Sequence, residues 1–220
     1  AFYSGTFSKN EVRKYWEAEC LPPKAKAKAK AKVKAKAKPS GWEKKVREPV
    51  AQQEIVKRLG ACKVVPVIKI DDPSHAVPLC AALKEGGIDL AEITFRTPHA
   101  AGAIADVCKG VEGVCVGAGT VVDPRQVDIA IDNGADFIVS PGFDARVARR
   151  CKVRGALYMP GTITPTEVMT AMAAGLRYLK FAPATNCGGL GALKSYAAVF
   201  PDVAWMPTGG VSESNIAEFL

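Results

Sequence analysis

The chain has 220 residues, 48% of them hydrophobic and 7% aromatic, with 30 Lys plus Arg against 22 Asp plus Glu and seven cysteines. That length carries one sizeable core, and the composition excludes a chain disordered throughout, a collagen-like repeat and a disulfide-stapled miniprotein. The formal net charge of +8 is unevenly placed: residues 1–50 hold 14 basic and 5 acidic side chains, a net +9, leaving 16 basic and 17 acidic, a net −1, in residues 51–220. With no basic cluster of its own, the globular part is not expected to bind nucleic acid.

In chain order, residues 7–20 are predicted as a short amphipathic helix, with Ser8 and Glu11 spaced as a capping box and Phe7 and Val12 as a staple. Such a helix docks on a partner or packs on its own domain. Pro22 and Pro23 end this first segment, 1–21. A linker follows over 22–41, in which Lys occupies every even position from 24 to 38 with Ala between except at Val33. Like charges on alternate residues extend the chain, so a solvated spacer is the plain reading and a tether to an anionic protein or membrane surface the functional one. Ser40 and Glu43 mark another helix start, Pro49 interrupts, and a helix over 51–59 is predicted to stop at Gly60.

Residues 42–220 form the third unit, in which short apolar runs alternate with amphipathic segments. The runs are 64–70, 90–95, 114–116, 137–139, 157–159, 178–181 and 203–206; the helical segments are 72–84, 98–108, 124–133, 144–153, 165–174, 190–200 and 212–220. A βα unit repeated in this way implies a parallel sheet with helical crossovers, either open and doubly wound or closed as a barrel. Polar and Gly-rich residues at the C-terminal end of nearly every run favour the barrel, which builds its active site there.

Those strand ends carry Lys69, then Glu92, Thr94 and Arg96, then Gly117–Thr120, Ser140–Gly142, Pro160–Thr162, Lys180 and Pro183, and finally Pro207–Gly210. Strand alternation points Glu92, Thr94 and Arg96 the same way, and a Lys, a Glu and an Arg converging inside a barrel are costly to bury unless they do chemistry. An inward Lys among cations and apolar walls loses proton affinity, and a neutral amine attacks a ketone to form a Schiff base. Glu92 is then the carboxylate that moves protons, Arg96 a bidentate anchor for a carboxylate or phosphate, and Gly209–Gly210 after Thr208 an anion nest. Taken singly, Glu92 and Arg96 also read as an interior ion pair, and the two glycines as a simple turn. His75 and His99 lack partners at metal-ligand spacing, and no chemistry is assigned to Cys187.

The segments Val64-Val-Pro-Val-Ile68, Ala91-Glu-Ile-Thr-Phe-Arg-Thr97, Gly117-Ala-Gly-Thr120, Ser140-Pro-Gly142, Leu179-Lys-Phe-Ala-Pro183, Gly188-Gly189 and Pro207-Thr-Gly-Gly210 occur in one order that resembles the class I 2-keto-3-deoxy-6-phosphogluconate (KDPG) and 4-hydroxy-2-oxoglutarate (KHG) aldolases, over residues 51–220. The resemblance implies a (β/α)8 TIM barrel, commonly a homotrimer, that splits a phosphorylated 2-keto-3-deoxy acid to pyruvate and glyceraldehyde 3-phosphate with no metal or other cofactor. By motif, Lys180 resembles the Schiff-base lysine and Glu92 the general acid/base. Arg96 and Thr120, with Thr208 beside them, resemble the pyruvate-carboxylate site, and Gly209 and Gly210 part of the phosphate site. Lys69 stands where many relatives have Arg, and Pro141 joins the substrate-binding set.

Two departures accompany the match. Ala182 replaces a larger residue after Lys180-Phe181, and the chain stops at Leu220 in the seventh helix, so the eighth βα unit is expected to lie beyond it. A different reading makes the protein an aldolase-like assembly subunit docked through its basic extension. Seven scattered cysteines, none in a C-x-x-C pair, and no apolar run of membrane-spanning length indicate a soluble protein in a reducing compartment. The extension and the missing initiator Met put the plastid stroma beside the cytoplasm as expected locations.

Overall fold

The computed structural model describes residues 50–220. The helix expected over 7–20, the Lys/Ala linker and the helix start near Ser40 lie outside the described residues. The described part opens with α1 (Gln52–Cys62) and continues as β1 (Val67–Ile68), α2 (Ala76–Glu85), β2 (Leu90–Thr94), α3 (Ala100–Gly110), β3 (Cys115–Gly119), α4 (Pro124–Asp132) and β4 (Phe137–Ser140). Then come α5 (Ala145–Arg154), β5 (Leu157–Thr162), α6 (Pro165–Ala173), β6 (Tyr178–Phe181), α7 (Gly189–Val199), β7 (Ala204–Pro207) and α8 (Ile216–Phe219). All seven strands are parallel and pair in chain order, leaving β1 and β7 at the two edges.

The sheet is curled, and one contact shows it. In a flat sheet β2 and β6 would lie about 19 Å apart at the usual strand spacing. Yet Glu92 on β2 and Lys180 on β6 meet at 3.2 Å. Curling sorts the alternating side chains into an inner and an outer set. Leu90, Cys115, Phe137, Val139, Leu157 and Met159 fill the interior, where Ile55 of α1 packs as a floor. Ile93, Val116, Ala118 and Ile138 point outward and pack under the helices with Ile104, Val107, Val127 and Val147. A second outer cluster gathers Val168, Leu179, Phe200 and Val203.

Local chemistry explains the helix starts. Asp123 and Asp144 cap α4 and α5 by accepting from the backbone N–H groups of Arg125 and Arg146, and Thr164 with Glu167 forms a capping box on α6. Side-chain hydrogen bonds from Arg125 and Arg146 hold the carboxyls of Asp123 and Asp144 down at about 2.

The elements follow the predicted order, but the helix expected over 212–220 is confined to Ile216–Phe219, the one over 72–84 begins at Ala76, and three further differences in extent have a physical reason. First, α1 runs through Gly60 and ends at Lys63, which takes a left-handed φ of 61° and donates its N–H to the Leu59 carbonyl. Val56, Leu59 and Cys62 all pack on the interior cluster, and that continuous apolar face outweighs the weak helix propensity of one glycine. Second, β3 extends through Gly117 to Gly119, and β5 through Pro160 to Thr162. Third, β1 shrinks to Val67–Ile68, held only by β2. Among the described residues, no helix is long and apolar enough to cross a membrane.

Because Ile55 is fully buried and joins α1 to the interior cluster, Ile55→Ala should cost about 3 kcal/mol of unfolding free energy. Urea denaturation measures this; a loss below about 1 kcal/mol would mean that α1 is not the barrel floor.

Candidate active site

Two charged side chains are buried in the barrel interior. Glu92 is 1% exposed and Lys180 8%. Lys180 Nζ lies 3.2 Å from Oε1 and 3.4 Å from Oε2 of Glu92, so the ammonium spans both carboxylate oxygens. The reading of Glu92 as an ion-pair partner of Arg96 is corrected here, because the carboxylate pairs with Lys180. Burial raises the Glu92 pKa, while the charges of Lys180 and then Arg96 pull it back.

Glycines make the pairing possible. Gly119, on the neighbouring strand, faces Glu92 so closely that a Cβ there would fall inside the carboxylate. One row lower, Gly117 pairs in register with both Glu92 and Phe137, and a Cβ on it would overlap the Phe137 ring. Gly161 pairs with Lys180 in register and faces the Pro141 carbonyl oxygen, where a side chain would also collide.

The remaining predicted residues lie at or just beyond the C-terminal ends of the strands. Arg96 lies beyond β2, exposed, and donates from Nε to Thr94 Oγ1 at 3.1 Å. Thr94, buried at 1%, donates in turn to the Ile68 carbonyl at 2.9 Å and so fixes Arg96 relative to β1. Thr120 follows Gly119 with φ 58°, a left-handed conformation that a β-branched side chain rarely takes. Lys69 lies on the exposed loop after β1 and pairs with Asp71 at 2.7 Å, so an incoming anion there competes with a carboxylate. Pro141 is exposed at the end of β4.

Thr208, Gly209 and Gly210 follow β7, and both glycines have positive φ, 95° and 76°. Their loop locks to the loop after β6. Thr208 donates its N–H to the Phe181 carbonyl, the Thr208 carbonyl accepts from Ala184, and the Gly209 carbonyl accepts from Thr185. A side chain on Gly210 would run into Thr185. These three bonds hold the loops after β6 and β7 side by side.

Thr162 and Tyr158 had no predicted role. Thr162 is 3% exposed, and its hydroxyl reaches the Lys180 carbonyl at 3.5 Å. Tyr158 and Ser140 share a 2.6 Å hydrogen bond behind the sheet. In the sequence Thr162 stands only as part of the polar strand end 160–162, and Tyr158 carries no signal beyond a hydroxyl on the outward face of a strand. Among the described residues, no three His, Cys, Asp or Glu side chains cluster as metal ligands.

Comparison with known proteins places this arrangement. The family model for KDPG and KHG aldolase matches residues 55–220. The 2-dehydro-3-deoxy-phosphogluconate aldolase of Zymomonas mobilis is 41% identical over 157 residues, covering 71% of this chain and 75% of its own. The crystal structure of the Zymomonas mobilis ZM4 2-keto-3-deoxy-6-phosphogluconate aldolase with 3-phosphoglycerate superposes with a TM-score of 0.73 at 39% identity, over 77% of this chain and 81% of that one. The Legionella pneumophila KDPG aldolase, with pyruvate captured as a covalent carbinolamine, gives 0.71 at 36% identity, over 74% and 79%. A strand-end Lys–Glu pair inside a parallel barrel and a matched length that includes both residues lead to one conclusion: the chain belongs to the KDPG/KHG aldolase family.

Proposed function

We propose that the chain is a Schiff-base aldolase that cleaves 2-keto-3-deoxy-6-phosphogluconate to pyruvate and glyceraldehyde 3-phosphate, or carries out the related cleavage of 4-hydroxy-2-oxoglutarate. The observation that carries this reading is the buried contact between Lys180 Nζ and the Glu92 carboxylate. An isolated buried ion pair contributes little to stability and is costly to desolvate, so its place in the interior favours a chemical role.

In this reading Lys180 is the nucleophile. Glu92, whose proton affinity burial has raised, takes a proton from Nζ as the keto acid enters. The amine adds to the ketone carbon to give a carbinolamine, and Glu92 then returns its proton to the carbinolamine hydroxyl, which leaves as water and yields the iminium. Glu92 then removes the proton of the β-hydroxyl, the bond between the α- and β-carbons of the iminium breaks, and its electron pair moves into the enamine. The aldehyde leaves, Glu92 returns the proton to the enamine carbon, and water hydrolyses the pyruvate iminium to free Lys180. One carboxylate suffices because each proton it accepts is given back within the cycle.

The surrounding groups bind. Thr94 holds Arg96 by its Nε, which leaves the terminal guanidinium nitrogens for the substrate carboxylate, with the Thr120 and Thr208 hydroxyls beside it. The Gly209 and Gly210 amides suit the phosphate at the other end, and Pro141 borders the mouth. Lys69 adds positive charge at the rim while sharing it with Asp71. The Schiff base supplies the electron sink, so the reading calls for no cofactor.

Lys180→Met should lower kcat/KM by at least about a thousandfold, and Glu92→Gln by about a hundredfold, in a cleavage assay that detects pyruvate. Comparable turnover in Lys180→Met would exclude the lysine as nucleophile. The pH dependence has a definite sign. The raised Glu92 pKa places the acid limb of kcat/KM above the usual glutamate value of about 4.3. That limb should vanish in Glu92→Gln. Since the folded state holds this proton more tightly than the unfolded one, stability from Glu92 is present below the unfolded glutamate pKa and is lost as pH rises through the folded one. The wild-type-minus-Glu92→Gln difference in melting temperature should therefore fall across that window. Thr120→Gly relieves the left-handed strain, so it should keep or raise stability by about 1 kcal/mol. The same change should weaken keto-acid binding about tenfold through loss of the hydroxyl. Steady-state kinetics with thermal melts separates the two effects.

A further inference from the structure

Tyr158 lies on β5 with its ring in the outer layer, 3% exposed and on the opposite face of the sheet from Lys180. Its hydroxyl is 2.6 Å from Ser140 Oγ and donates to the Gly142 carbonyl at 3.4 Å. Ser140 Oγ donates to the Gly142 carbonyl at 2.6 Å. Asp144 continues the line by capping α5. One buried phenol thus ties Ser140 and Gly142 together, two residues ahead of the cap of α5. Burial pushes this hydroxyl up to about 12, so Tyr158 keeps the proton that it donates.

Between Ser140 and Gly142 stands Pro141, which has a backbone carbonyl and no N–H. The oxygen of that carbonyl occupies the space where a side chain on Gly161 would go, on the inner face of β5. Gly161 is the register partner of Lys180. The turn therefore sets a carbonyl oxygen in the barrel mouth one strand from the nucleophile. A fixed dipole with its negative end there favours the positive charge that develops on the lysine nitrogen as the iminium forms.

We propose that Tyr158 is a positioning residue of the aldol reaction, acting through Ser140 to hold the turn that aims the Pro141 carbonyl into the mouth beside Lys180. The proposal rests on the Schiff-base reading above. It predicts an effect on the chemical step more than on substrate binding, because the iminium that the carbonyl faces forms from the neutral amine only after the keto acid is bound.

The test is Tyr158→Phe in the full chain, which removes one oxygen and keeps the ring. The kcat for cleavage should fall about fivefold, the scale of one lost hydrogen bond, with KM changed less than about twofold. Amide hydrogen exchange across 140–144 should quicken in the same variant. Val168→Ala, on the buried face of α6 in the outer cluster, serves as a control that loses stability and keeps kcat. An active wild type with an equal kcat in Tyr158→Phe, a loss seen only in KM, or unchanged exchange over 140–144 would overturn the role of Tyr158 alone. A wild-type chain that neither turns over nor traps pyruvate would overturn the Schiff-base reading, and the role of Tyr158 with it.

Discussion

The ion pair between Lys180 and Glu92 is the constraint around which the barrel is built. It joins β2 to β6 across the interior and requires the sheet to curl until two strands four places apart bring side chains to 3.2 Å. Gly119 must stay without a side chain for the carboxylate to fit, and Gly117 must do the same for Phe137 to fill the space beneath. Leu90, Phe137 and Met159, with Ile55 below them, close the interior from the N-terminal end. The apolar plug keeps water from the pair on one side and leaves it open to substrate on the other.

Electrostatics separates this pair from the other charges. The ion pairs of Arg125 with Asp123 and of Arg146 with Asp144 are at helix starts with their arginines exposed, where they orient capping side chains. Arg150 and Arg154 of α5 grip Asp128 of α4 and join two outer helices. These are partly hydrated contacts, and such pairs contribute little each. Glu92 behaves differently because burial outweighs its cationic neighbours and moves its pKa upward. A carboxylate whose proton affinity burial has raised is the better base, as proton shuttling in an aldol cleavage requires.

Much of this was legible in the sequence. Period-two apolar runs between amphipathic segments indicated parallel βα units, and strand alternation was enough to send Glu92 and Lys180 inward. Gly60 misled because a glycine after an apolar helix resembles a stop, whereas Leu59 and Cys62 carry the packing face past it. The Gly119 and Gly161 close approaches could not be read from composition or period, since each depends on what an adjacent strand presents. The link from Tyr158 through Ser140 to Gly142 was equally hidden. It joins residues 18 apart that become neighbours only when β4 and β5 pair in the observed register. Lys69 joined the substrate-binding set by its resemblance to an Arg of the family, and its pairing with Asp71 emerged only in the folded chain.

The net charge of +8 belongs to the first 50 residues, whereas the barrel is near neutral and depends on a few charges that it buries. The central claim is that one of these, the Lys180 amine, forms a covalent bond to substrate. Borohydride reduction in the presence of pyruvate, followed by peptide mass mapping, tests it most directly. The account predicts one reduced pyruvyl adduct per chain on Lys180, absent in Lys180→Met. A folded chain that gives no adduct, or gives one at another lysine, would contradict it.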